Sequence, residues 1–140
     1  ACILASDNIQ KHDLGARCTT VAADFFNRVP HGDVYVLKQV LHDWDDKAAA
    51  TILRRCRDAA NPRGRVFVFD AVLREDARGA EIRLRDLCMF VLTGGRERSE
   101  ADFREIAAAA GLHVDRIVPT ASALGLELIE MSILDATGER

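Results

Sequence analysis

The chain has 140 residues, 49% of them hydrophobic and 29% charged, with a formal net charge of -3. That is enough apolar material for one domain with its own core, and the slight acidic excess gives no electrostatic basis for binding nucleic acid or an anionic membrane. No apolar run approaches the roughly 20 residues that span a bilayer, and the opening residues 1–7 lack the basic stretch of a signal peptide, so a cytoplasmic location is the default expectation.

In chain order, a short apolar patch at Cys2–Ala5 reads as a strand remnant, followed by a helix before Gly15. Cys18–Ala23 reads as a strand closed by Asp24-Phe25-Phe26, and the segment from Pro30 to Asp33 as a turn. Val34–Leu37 is a run of apolar, β-branched character that suits a parallel strand buried on both faces. It ends in a dense polar cluster: Lys38, His42, Asp43, Asp45 and Asp46. Asp45-Asp46 is a good helix start, and Ala49, Ile52, Leu53, Cys56 and Ala60 form an apolar stripe that stops at Asn61-Pro62-Arg63-Gly64. Arg65–Asp70 is a second continuous apolar run with an acid at its carboxyl end. Strand, helix and strand then make a βαβ unit, which sets His42 and Asp70 at one edge of a parallel sheet. Ligands of open α/β sheets bind outside that edge, so an imidazole and a carboxylate there are placed for chemistry.

Residues 75–80 read as loop, and Leu84, Leu87, Cys88 and Val91 recur at helical spacing up to Thr93-Gly94-Gly95. Ser99 and Asp102 form a capping-box pattern for a helix carrying Phe103, Ile106, Ala107 and Ala110 to Gly111. Val114–Val118 and Leu126–Ile133 read as an antiparallel pair. Arg96 and Arg98 read as residues that solvate a loop. The cysteines Cys2, Cys18, Cys56 and Cys88 contain no C-x-x-C pair and read as reduced, mostly buried thiols. His42 with its neighbouring acids has metal-ligand chemistry, but Asp45 and Asp46 serve better as helix starters, so no metal is expected.

The run Leu37-Lys38-Gln39-Val40-Leu41-His42-Asp43-Trp44-Asp45-Asp46, followed by Gly94-Gly95-Arg96-Glu97-Arg98-Ser99, resembles the S-adenosylmethionine-dependent O-methyltransferases of the plant caffeate and bacterial polyketide type. Asp24-Phe25-Phe26, Asp86-Leu87-Cys88-Met89 and Gly125-Leu126-Glu127-Leu128-Ile129-Glu130 share the resemblance, in the family's order and spacing. It implies an α/β fold: the C-terminal part of a Rossmann-like class I methyltransferase sheet, mostly parallel with an antiparallel final strand pair. Residues 1–140 would be a partial methyltransferase domain, with 1–17 a poorly defined lead-in.

By resemblance His42 matches the general base, with Asp70 and Glu97 as its acidic flanks; many plant members carry Glu at the position of Asp70. Asp24 matches the acid that binds the adenine amine of S-adenosylmethionine, Phe25 and Trp44 border the ring, and Lys38 lies near the methionine end. Asp43 and Met89 would border a small-molecule hydroxyl substrate. The family's N-terminal dimerisation domain and its glycine-rich cofactor loop have no counterpart here, since no glycine precedes Gly15. Asp7 would serve as a ribose acid only if Cys2–Ser6 ended the family's second strand. The missing strands would lie between the strands at Cys18–Ala23 and Val34–Leu37, leaving a gap that predicts a rearranged strand order, a homo-oligomer, or cover by a further polypeptide. Two functions follow as expectations: an O-methyltransferase with His42 as base, or a non-catalytic remnant acting as an association module.

Overall fold

The computed structural model describes residues 2–74 and 77–134. Its order is α1 (Cys2–Lys11), β1 (Gly32–Lys38), a 3-10 turn at Leu41–Asp43, α2 (Asp46–Ala59), β2 (Ala60–Asp70), β3 (Val72–Leu73), α3 (Ala77–Thr93), β4 (Arg98–Ser99), α4 (Glu100–Ala109), β5 (Leu112–Pro119) and β6 (Glu127–Ile133). The main sheet has the order β1-β2-β6-β5, and β3 with β4 makes a small parallel second sheet.

The βαβ unit forms as its pattern dictates. Asp45 caps α2 by accepting from the Ala48 backbone N–H at 2.7 Å, which satisfies one of the orphan donors of the first turn. Ala49, Ile52, Leu53 and Cys56 are then buried at helical spacing. They pack over Val66 and Val68 of β2, which runs parallel to β1 with Tyr35 opposite Val66 and Leu37 opposite Val68. Alternation along β6 puts Ile129 and Met131 on the same face, and α4 adds Phe103, Ile106 and Ala107. Each such side chain contributes about 2 kcal/mol by leaving water, so this one face holds most of the core. α4 starts at the expected capping box between Ser99 and Asp102 and ends before Gly111, whose φ of +75° is left-handed.

The closing strand pair is antiparallel and lies at one end of the sheet, with β6 between β2 and β5. Since β6 opposes both neighbours, β1, β2 and β5 run one way and β6 the other.

Several expectations are corrected. Val34–Leu37 is not buried on both faces: Val34 is 52% and Val36 60% exposed. β1 is the sheet's edge, and no described element covers that side of it, so only the residues facing α2 and α4 leave water. Cys18–Ala23 forms no strand among the described residues, for no ladder reaches it; it is held instead through Thr20, whose hydroxyl lies 2.7 Å from that of Ser6. The Cys2–Ala5 patch lacks a strand partner too and joins α1, with Asp7 inside that helix. The α2 stripe does stop before Asn61–Gly64, and that segment belongs to the start of β2. Helix replaces the loop expected over residues 77–80, while residues 75 and 76 lie outside the described residues. Cys56 is buried, but Cys18 is half-buried and Cys88 exposed. Among the described residues no helix is long and apolar enough to cross a membrane.

Candidate functional site

The site is built where β1, β2 and β4 meet. After Lys38 the chain turns through Gln39, whose φ of +52° is uncommon for a side-chain-bearing residue. Its N–H donates to the Phe69 carbonyl at 2.9 Å, tying the end of β1 to the end of β2. Leu41 then plunges into the core and holds the 3-10 turn, so His42 is aimed inward and is 8% exposed. Asp70 ends β2 beside it. Glu97 enters from the segment preceding β4, which the β3–β4 pairing holds in place.

His42 Nδ1 lies 3.4 Å from Asp70 Oδ1 and 3.5 Å from Glu97 Oε1, and both acids are 1% exposed. These are ion-pair lengths, beyond a tight hydrogen bond, and Nδ1 and all four carboxylate oxygens are buried without a hydrogen-bond partner. Such a cluster is strongly polarised. The imidazole pKa is raised, with interaction with Glu97 contributing most; burial opposes the rise, while Asp70 and Asp43 add to it. Burial pushes the Asp70 carboxyl up to about 7, with His42 acting against that shift. The other imidazole nitrogen, Nε2, faces outward, 3.6 Å from Oδ1 of the half-exposed Asp43.

The donor atoms of His42, Asp70 and Glu97 lie within 4.8 Å of one another, a ligand set of nitrogen and oxygen that a divalent cation could use. A positive charge already stands at its side, for Arg85 Nη2 lies 3.3 Å from Glu97 Oε1.

The remaining expected residues separate into two groups. Phe25 and Trp44 come together, with ring centroids 6.1 Å apart and nearly perpendicular planes, and Phe26 packs against both, 5.0 Å from Phe25 and 4.7 Å from Trp44. Asp24 lies beside them, exposed, accepting from the Phe26 N–H and the Asn27 amide at 2.9 and 2.8 Å. Lys38 is exposed at the end of β1, and Met89 is half-buried on α3, which contacts the Leu41–Asp43 turn. No close approach between either residue and His42 is observed among the described contacts.

Two supports escaped the sequence reading. Arg98 does not solvate a loop: it is 1% exposed and donates to the carbonyls of Leu41 at 2.7 Å and Trp44 at 2.8 Å, with Asp46 Oδ1 at 2.9 Å from its Nε. It clips both ends of the turn that carries His42. Gly95 packs on the same turn: a Cβ there would collide with the His42 carbonyl and lie 2.5 Å from the carbonyl carbon of Asp43, while Arg96 N–H donates to the His42 carbonyl at 2.9 Å. The Gly94-Gly95 pair hinted at the second contact; nothing local in the sequence hinted at the first.

Residues 3–113 match a family described as "O-methyltransferase domain". A phenazine O-methyltransferase of Lysobacter antibioticus is 41% identical over 127 residues, which is 90% of this chain and 37% of that protein. A mitomycin biosynthesis 6-O-methyltransferase of Streptomyces lavendulae is 42% identical over 107 residues, 76% of this chain and 30% of its own length. Among solved structures, LaPhzM superposes with a TM-score of 0.87 at 39% identity, covering 94% of this chain and 40% of that one. An O-methyltransferase of neocarzinostatin biosynthesis, crystallised with S-adenosylmethionine and 2-hydroxy-5-methyl naphthoic acid, gives 0.85 at 38% identity, covering 95% and 38%. The chain thus spans well under half the length of these relatives.

Proposed function

The chain belongs to the O-methyltransferase domain family, and on that premise we propose that it is the catalytic segment of an S-adenosylmethionine-dependent enzyme that methylates a hydroxyl of a small aromatic or polyketide-like molecule. The observation that carries the proposal is His42, held with Nδ1 against two buried carboxylates and Nε2 turned outward.

The chemistry asked of this arrangement is proton removal. Two acids facing Nδ1 favour the tautomer with the proton on that nitrogen, which leaves the Nε2 lone pair free to accept from a hydroxyl. As the imidazole becomes cationic, Asp70 and Glu97 stabilise it without moving. Asp43 lies on the outward side, where it would border the substrate, and Met89 of α3 is proposed as a second border.

The residues present fit one end of the cofactor. Phe25 and Trp44 offer an apolar aromatic wall, and the adjacent Asp24 carboxylate offers acceptors, which suits a ring with an exocyclic amine. Lys38 is assigned to the methionine end on resemblance. When bound, S-adenosylmethionine would supply the electrophilic methyl group.

The open edge of β1 favours a second reading in which the chain is a non-catalytic association module. Calorimetric titration with S-adenosylhomocysteine separates the two. Micromolar binding, roughly -8 kcal/mol, supports the enzyme, and its absence leaves the module. If binding occurs, His42→Ala should abolish methylation of a hydroxynaphthoic acid while leaving that binding within a factor of about 3. Unchanged turnover in the variant would remove His42 from the mechanism.

A further inference from the structure

The two acids behind His42 create a charge problem: with both ionised and the imidazole cationic, the cluster carries one surplus negative charge on carboxylates buried without a hydrogen-bond partner. Arg98 is nearby, but its guanidinium is committed to the Leu41 and Trp44 carbonyls and to Asp46. The cation that pairs with Glu97 is Arg85 of α3. One arm of its fork, Nη2, lies 3.3 Å from Glu97 Oε1, and the other, Nη1, donates to the Leu124 carbonyl at 2.7 Å. Asp86, the next residue, accepts from the Glu97 backbone N–H at 2.7 Å, so α3 grips both the backbone and the carboxylate of Glu97.

The Leu124 contact gives the arrangement its anchor. Leu124 belongs to the segment joining β5 to β6, and Arg85 stands with that segment around a cavity of about 400 Å3 bounded also by Val72, Arg74 and Ile82. A long side chain on its own would lose rotamer freedom to hold one ion pair. Tethered at its other arm, the guanidinium is already ordered when it meets the carboxylate.

We propose that Arg85 is a positioning residue for proton transfer at His42: anchored on the Leu124 carbonyl, it holds the Glu97 carboxylate opposite Nδ1 and sets a positive charge against it. The inference rests on the reading of His42 as the base, yet its test needs neither cofactor nor acceptor. The charged groups facing the imidazole are Asp43 on its own turn, Asp70 from β2, Glu97 from the segment before β4, and, behind them, Arg85 of α3 and Arg98 of β4. Removing a positive charge from this set makes every protonation of the cluster easier.

The experiment is a proton NMR titration of the His42 imidazole in the 140-residue chain, comparing wild type, Arg85→Met and Arg85→Lys. In Arg85→Met the apparent midpoints of the cluster should rise by about one pH unit, and Arg85→Lys should return most of that shift because charge survives without the fork. An Arg85→Met titration that overlays the wild type overturns the proposal, as does a Lys variant no closer to wild type than Met. Should Arg85→Met not fold, Arg85→Gln, neutral and still a donor to Leu124, is read by the same two criteria. The shift would appear even if no acceptor is ever methylated, so loss of the enzyme reading and loss of this one are distinguishable.

Discussion

Arg98 shows how one buried guanidinium can set a neighbour's geometry without touching it. Its Nη atoms hold the carbonyls of Leu41 and Trp44, the residues on either side of His42-Asp43. Arg98→Met would keep the bulk and strand one buried and one part-buried acceptor, each costing about 1 to 3 kcal/mol, so a loss of about 3 kcal/mol is expected from urea unfolding. A loss below about 1 kcal/mol would mean that water replaces the donors. Asp70 has the opposite sign. Its carboxyl titrates at about 7, far above the 3.8 of an exposed aspartate, and His42 is raised as well, so across that interval the native state binds more protons than the unfolded one. Stability therefore falls as pH rises. Between about pH 5 and pH 8 the wild type should lose on the order of 2 kcal/mol more than Asp70→Asn, and parallel stability curves for the two proteins would contradict this. The placement of His42 and Asp70 was legible in the sequence, because two apolar runs each ending in a polar residue must end at one sheet edge if they run parallel. The role of Arg98 was not, since its three partners lie more than fifty residues earlier and only tertiary folding brings them within reach.

The 3-10 turn, the β3–β4 pair and the end of α3 act together. Gly95 is the point of closest approach, its α-carbon set against the backbone of His42 and Asp43. Adding one methyl group there cannot be absorbed by a flexible side chain, because the obstacle is main chain. Gly95→Ala should cost about 1 to 3 kcal/mol and move the His42 imidazole resonances, whereas Gly94→Ala meets no atom within 4 Å and strains only a φ of +74°. Equal effects from the two substitutions would argue against close approach as the reason for Gly95. Element types and most boundaries followed from periodicity, and two of the failures share a cause. Cys18–Ala23 and Val34–Leu37 carry the composition of sheet strands, but composition cannot say whether a partner strand or a covering helix is present.

Taken whole, the molecule is asymmetric in its covering. α2 and α4 close one face of the sheet, while Val34 and Val36 lie open on the other, and Leu84, Leu87 and Val91 form an exposed apolar row along α3. A free strand edge with apolar flanks invites pairing with another chain. We expect the 140-residue chain to self-associate at concentrations of about 100 μM in sedimentation experiments, and Val36→Lys to shift it toward monomer. A monodisperse wild-type monomer would show that the open face is tolerated.

The position of β6 carries a consequence for the order of assembly. This strand comes last among the described residues yet lies at the centre of the sheet, pairing with β2 on one side and β5 on the other. During synthesis, β1, α2 and β2 can meet early, but nothing can bridge them to β5 until residues 127–133 have left the ribosome. Closure of this four-stranded sheet therefore waits on residues 127–133, and a nascent chain paused before Glu127 would hold a β1–β2 pair and a lone β5, with the edges that face β6 unpaired.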